Sequence, residues 1–167
     1  MFNIKMIGYE KTLAKMYGIE VGLIDMTIPH KLMLKHKQEE FKKLFEKGDP
    51  SWDALSKTTL KLREVNKRNQ PLVDRGNLMR ALSSPRSRYA KHKVFKKSFR
   101  IAISSTLRGD DGAFYPAIME KGANIKNGWG KGISIKIPGR PYMHFTNDDR
   151  TANKKIMHMY LEALVNA

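Results

Sequence analysis

ISIKIPGRPYMHFTNDDRTANKKIMHMYLEAL, residues 133–164, carries both kinds of regular structure in one run. Ile133, Ile135 and Ile137 alternate with Ser134 and Lys136, the period of a strand with one covered face. Pro138-Gly139 stops it. Beyond the stop, Tyr142, His144 and Thr146 alternate with Met143 and Phe145, which predicts another strand. The period then changes. Thr146 followed three residues later by Asp149 is a capping-box-like start, and Asp148 suits the positive end of a helix. Ile156, Met159, Tyr160, Ala163 and Leu164 recur as a helical stripe.

Upstream of this run the same two periods recur. Phe2, Ile4 and Met6 alternate with Asn3 and Lys5, a short strand signal. Glu10 to Tyr17 reads as a short helix stopped by Gly18, and the apolar stretch Ile19 to Met26 fits either state. Leu34, Phe41, Leu44 and Phe45 form the stripe of an amphipathic helix over about 28–47, with Pro29 in its first turn and Thr27 as its cap. Gly48-Asp49-Pro50 ends it. Ser56 is placed to cap a short helix carrying Leu60 and Leu62, and Asp74 another that runs to Leu82.

Residues 83–92 hold Ser83-Ser84-Pro85, Arg86, Arg88 and Lys91 with almost no apolar content, and predict a mobile basic loop. Phe99, Ile101 and Ile103 alternate with Arg100, Ala102 and Ser104, predicting a strand over Val94 to Ser105. Arg108 to Gly112 reads as a turn, and Tyr115 to Lys121 as one or two helical turns ended by Gly122. A helix first, then strands mixed with short helices, then a closing helix argue a single α+β domain over residues 1–167. The sheet is expected to be mostly antiparallel, with a long helix in the N-terminal half and another at the C-terminus.

Composition narrows the function. The chain has 167 residues, 41% of them hydrophobic, enough for one core. It has no apolar run long enough to span a membrane and no secretory-type start. It has no cysteine, which excludes disulfides and thiolate metal sites. Lys and Arg number 32 against 16 acidic residues, a formal charge of +16. From Lys57 to Arg100 there are fourteen basic residues and two acidic ones, Glu64 and Asp74. Such a field favours anionic partners, although a solvated face that keeps the protein soluble has the same composition. Arg75, Arg80, Arg86, Arg88, Lys91, Lys93, Lys96 and Lys97 are the candidate contact surface. Tyr89, Phe95 and Phe99 are interleaved with them, as stacking on nucleic acid would use. No helix-turn-helix, zinc finger or RNP motif is legible.

Catalytic signatures are lacking. His30, His36, His92, His144 and His158 include no i,i+4 pair, and no HExxH or GxSxG is present. Gly128-Trp129-Gly130-Lys131-Gly132 has the glycines of a phosphate loop, but Gly132 stands where a P-loop needs Ser or Thr, and a strand follows. Trp129 on that loop is a candidate partner contact or an internal packing residue. Asp110-Asp111 and Asp148-Asp149 suit a turn and a helix start.

Four short motifs stand in order along the chain. They are Trp52-Asp53-Ala54-Leu55-Ser56-Lys57-Thr58-Thr59, Pro71-Leu72-Val73-Asp74-Arg75-Gly76-Asn77-Leu78, Tyr115-Pro116-Ala117-Ile118-Met119-Glu120-Lys121-Gly122, and Ile137-Pro138-Gly139-Arg140-Pro141-Tyr142-Met143. With the closing helix, the series resembles the phage virion morphogenesis family, the tail completion proteins of Mu-like and P2-like tailed phages. The resemblance spans about residues 30–165. Arg75 stands where the family often has Thr, and Lys121-Gly122 where it has an aromatic residue and Gly.

The resemblance implies a non-enzymatic, cofactor-free subunit of a ring, a hexamer by tail symmetry, at the head-proximal end of the tail. It would complete or terminate the tail and join it to the head–tail connector, in the virion neck, after assembly in the host cytoplasm. Its implied partners are itself, the tail-tube and connector proteins, and DNA in the channel. The matched positions Trp52, Leu55, Ser56, Thr59, Leu72, Gly76, Leu78, Ala117, Gly122, Pro138 and Pro141 are read as structural. Trp52 and Leu55 pack under the long helix, and Gly76 permits close backbone approach. Arg140, held between Gly139 and Pro141, suits a bidentate bond to a carboxylate or to backbone carbonyls. Arg140 and Tyr142 stand open between fold and inter-subunit interface. A small nucleic-acid-binding protein without a virion role is the alternative.

Overall fold

The computed structural model describes residues 9–57, 60, 71–73, 75–108, 112–128 and 133–166. The expected strand at 2–7, the Asp74 cap, Leu62, Thr59, the residues at the centre of the 108–112 turn and Trp129 lie outside the described residues. Five described helices and two small antiparallel ribbons make a mixed α+β fold. The helices are α1 (Tyr9–Ile24), α2 (Thr27–Lys47), α3 (Asn77–Ser83), α4 (Tyr115–Lys121) and α5 (Asn147–Asn166). The strands are β1 (Lys93–Val94), β2 (Phe99–Arg100), β3 (Ala123–Gly128) and β4 (Ile133–Ile137).

The core forms where α2 meets α3 and the segments that flank them. Phe41, Phe45, Trp52, Leu72, Val73, Leu78, Ala81, Leu82, Leu107 and Tyr142 are buried together. Phe41 and Phe45 lie one turn apart on α2, as the apolar stripe requires, while Lys35, Lys42 and Lys43 face solvent. Leu78, Ala81 and Leu82 give α3 its buried side. Helix α5 packs on α2 further towards the α2 N-terminus, and α1 touches α5.

Three expectations are corrected. The sheet is not the main layer: β1 pairs only with β2 and β3 only with β4 among the described residues. The strand expected over 94–105 is a folded ribbon, because Phe95 to Ser98 turns the chain back, with the Phe95 N–H donating to the Ser98 carbonyl at 2.8 Å. The polar pair Lys96-Lys97 occupies the turn, where no apolar face is needed. The strand expected over 142–146 is absent because side chains satisfy its backbone. Glu120 accepts the Tyr142 and Met143 N–H groups, and Lys37 donates to the His144 carbonyl.

Helix boundaries changed in two places. Helix α1 passes through Gly18 and ends at Ile24. Its C-terminal end is anchored from outside, with the Tyr160 hydroxyl donating to the Gly22 carbonyl and to that of Asp25, just past the helix, at 3.0 and 3.3 Å. Thr27 does not cap α2. It is the first helical residue, and its N–H and hydroxyl both donate to the Asp25 carboxylate. Those bonds, chiefly that of the hydroxyl, hold the Asp25 carboxyl below its ordinary range. The closing helix starts as its sequence predicts. The Asp149 N–H donates to the Thr146 hydroxyl oxygen at 3.1 Å, and the Thr146 N–H donates to the Asp149 carboxylate at 2.7 Å, a reciprocal capping box. No helix among the described residues is long and apolar enough to cross a membrane.

Candidate functional site

The first, third and fourth motifs meet at one hub around residues 137–143, and the second joins them through Leu72, Val73 and Leu78 of the shared core. Trp52 donates its indole N–H to the Pro141 carbonyl at 3.0 Å. Arg140 donates through Nε and Nη2 to the Asp53 carbonyl at 3.2 and 2.9 Å, and its backbone N–H to the Met119 carbonyl at 2.8 Å. Tyr142 donates its hydroxyl to the Pro116 carbonyl at 2.8 Å, and its ring lies 5.9 Å from that of Phe45. The ring of Phe45 also lies 6.3 Å from that of Trp52. Burial raises the Tyr142 hydroxyl pKa well above its ordinary value, and the charge of Glu120 adds to the shift.

This geometry supports the fold-keeping one of the two roles that the sequence left open for Arg140 and Tyr142. They are 5% and 1% exposed, so both are buried within the subunit. Their donors are used on carbonyls of the first and third motifs, which is a fold-keeping role. Gly122 and Gly139 approach within the same hub. A Cβ on Gly122 would stand 2.7 Å from the Gly139 nitrogen, and one on Gly139 would stand 2.8 Å from the Lys121 carbonyl oxygen. Gly122 also has a φ of 78°, in the region L side chains avoid.

The remaining motif residues divide by burial. Trp52, Leu72 and Leu78 are core. Leu55 and Pro138 are half-buried, and Ser56, Ala117 and Pro141 are exposed. Ser56 still starts a turn, its carbonyl accepting the Leu60 N–H at 2.9 Å. Gly76 is needed for conformation: it holds the position before α3 with a φ of 70°. Leu72 has a φ of 63° as a buried non-glycine residue, a local strain held by the surrounding core.

A buried ion pair fixes α5 to α2. The Lys37 ammonium lies 2.5 Å from the Asp149 carboxylate and 2.8 Å from the His144 carbonyl oxygen. It also faces the rings of Phe41 and Phe145 at 4.9 and 5.1 Å. Burial alone would raise the Asp149 carboxyl, but the bonds from Lys37 and Thr146 outweigh it and hold the group below its ordinary range. Sequence patterning did not single out Lys37, although Lys37, Phe41 and Phe45 recur every four residues on one face. His92 is half-buried, with Gln38 Nε2 2.8 Å from its Nδ1, and burial lowers its pKa.

Every candidate basic residue is exposed: Arg75, Arg80, Arg86, Arg88, Lys91, Lys93, Lys96 and Lys97. They are not equivalent. Arg80 bonds to the Arg75 carbonyl and the Asn77 side chain at its own helix start. Arg88 lies over the Tyr89 ring at 4.6 Å. Lys96 stands 3.9 Å from Asp25. Lys93 pairs directly with Arg100 across the β1–β2 ribbon. Between the end of α3 at Ser83 and the bridge from Ala90 to Ile103, residues 84–89 form turns, and the segment is fastened at its end, the Ser104 N–H donating to the Tyr89 carbonyl and the Lys91 N–H to the Ala102 carbonyl.

A second surface is apolar, and the sequence reading passed over it. Residues 10–18 of α1 are all exposed, including Leu13, Met16 and Tyr17. Val21, Leu23, Ile24, Ile28 and Leu32 continue the exposure, and α5 adds Met159, Leu161 and Val165. Met159 and Ala163, expected in the buried stripe of α5, are therefore uncovered. Among the described residues no group of three His, Asp or Glu could hold a metal ion. The chain matches no family model, no curated protein and no solved structure.

Proposed function

We propose that this protein is a structural assembly subunit, forming a ring at the head-proximal end of a phage tail that completes the tail and joins it to the head connector. The observation that carries the assembly part is the uncovered apolar side of α1 and α5. A helix whose side chains are mostly exposed gains little from its own domain, and an isolated helix of 16 residues is marginal in water. Met16 at 62%, Tyr17 at 69% and Ile24 at 53% exposure are large apolar groups that a neighbouring subunit would cover. In a ring this patch would meet a different face of the next copy, a heterologous contact that closes when its rotation closes.

The tail part rests on the ordered motif series and its resemblance to the tail completion proteins. The work is binding: no bond is made or broken, and complementarity of surfaces does the rest. Electron microscopy of particles from a phage lacking the gene tests this. Detached tails beside filled heads, or tails of abnormal length, are expected; intact virions of normal proportions would overturn it. Light scattering of the purified chain tests the ring separately. An oligomer that dissociates on Tyr17→Glu is expected, and a monomer at all concentrations would overturn self-assembly.

A further inference from the structure

We propose that the outer face of the β1–β2 ribbon is a binding surface for the phosphate backbone of double-stranded DNA. The ribbon is longer than its two named strands: Lys91 bonds to Ala102, Ala90 bridges Ile103, and Ser104 bonds to Tyr89. The pleat sends successive side chains to opposite faces. Val94 and Phe99 share one face with His92 and Ile101, all half-buried, while Lys91, Lys93 and Arg100 share the other and are exposed.

The charge on that face is costly to the fold by itself. Lys93 and Arg100 are directly opposed, and like charges directly opposite each other are destabilising. No acidic residue occurs anywhere between Asp74 and Asp110 in the sequence. Among the described residues no carboxylate pairs with Lys91, Lys93, Lys97 or Arg100. A bound polyanion turns this repulsion into attraction.

The spacing and rigidity favour a regular polyanion over an acidic protein face. Side chains on one face of a strand recur about every 6.7 Å, so Lys91 and Lys93 are set at that spacing along one strand, with Arg100 across from Lys93 on the other. The ribbon is fixed in place, with the Met26 N–H donating to the Lys96 carbonyl at 3.0 Å and His30 Nδ1 3.3 Å from the Phe95 carbonyl oxygen. Such contacts read the backbone and not the sequence, and they release counterions.

Fluorescence anisotropy with a labelled duplex of mixed sequence, over a series of salt concentrations, tests the proposal. Affinity should fall steeply and log-linearly with salt. Lys93→Glu/Arg100→Glu should weaken binding at low salt by about tenfold or more and reduce the salt slope by about one per side chain. Lys93→Gln/Arg100→Gln should show a smaller loss in the same direction, and circular dichroism should show both variants folded. Lys35→Glu/Lys47→Glu, with the same change in net charge on exposed α2 positions, should retain affinity within about twofold. Absence of binding at low salt, equal losses in the two charge-reversed variants, or preferential binding of polyglutamate over DNA would each overturn the proposal. The last would assign the face to an acidic protein. None of these readouts depends on ring formation or tail morphology, so failure here and failure of the assembly reading are distinguishable.

Discussion

The guanidinium of Arg140 donates through two nitrogens to the single carbonyl oxygen of Asp53, at 3.2 and 2.9 Å. The bond ties the fourth sequence motif to the first, 87 residues away in the chain. Trp52 returns the tie by donating to Pro141, so two adjacent residues of each motif hold two adjacent residues of the other. A planar fork suits this arrangement, and an ammonium does not reproduce it. Arg140→Lys should therefore destabilise the folded subunit by about 1–3 kcal/mol in urea denaturation. If Arg140 instead served a partner surface, the variant would unfold at the wild-type midpoint and lose only assembly.

The Lys37–Asp149 pair makes a second prediction. Both groups are buried, at 5% and 1% exposure, so removing one leaves the other charge in a poor solvent. Lys37→Met or Asp149→Asn alone should cost about 3–5 kcal/mol, and the double variant clearly less than the sum. The pair also shapes the acid limb of stability. The folded Asp149 carboxyl lies below its unfolded value, so its contribution is full above the ordinary carboxylate range. It is lost as pH falls through the folded value, because the unfolded chain then binds the proton more readily. Asp149→Asn should flatten that limb in a pH series of unfolding midpoints; an unchanged limb would show the pair to be uncoupled from folding.

Sequence patterning went further with helices than with strands, for physical reasons visible in particular residues. Phe41 and Phe45 announce α2, and Thr146 with Asp149 announces α5, because periodicity and capping are local. The strands over 94–105 and 142–146 were misread because alternation does not say where backbone hydrogen bonds go. In the first, Lys96-Lys97 folds the chain on itself. In the second, Glu120 and Lys37 supply the partners from distant segments. The basic surface was legible because charge is compositional. The burial of Arg140 was not, since a cation next to two imide-flanked turns looks the same in sequence whether it faces solvent or the Asp53 carbonyl. The apolar exposure of α1 was hidden for the opposite reason: apolar residues in sequence read as core.

His92 gives a pH dependence of a different kind. Burial holds its folded pKa below the ordinary histidine value, and its Nδ1 faces the Gln38 amide. A neutral ring accepts the amide N–H there; a protonated ring does not. As pH falls below about 6.5, the unfolded histidine gains its proton first, and stability falls until the folded ring also titrates. His92→Gln should lessen the loss of stability between neutral pH and about pH 5, read from urea midpoints at each pH. A wild-type slope in the variant would show that His92 is not linked to folding.

Lys93 faces Arg100 across two strands that contribute only one further ladder pair, Val94 with Phe99. Replacing one cation by an anion changes a repulsive cross-strand pair into an attractive one at an exposed position, without altering the core. Lys93→Glu should therefore stabilise the protein by about 0.2–1 kcal/mol. The gain should shrink as salt is raised, since exposed charges are screened. The same substitution should weaken binding of a polyanion, so stability and affinity move in opposite directions. Paired thermal melts and anisotropy titrations at two salt concentrations check both halves. A variant that binds less and melts lower would mean that Lys93 supports the ribbon by packing. A variant that melts higher and binds as before would mean that the opposed cations face nothing that carries phosphate. The expected combination, higher melting with weaker binding, requires that the opposed cations are retained at the expense of the fold for what they contact.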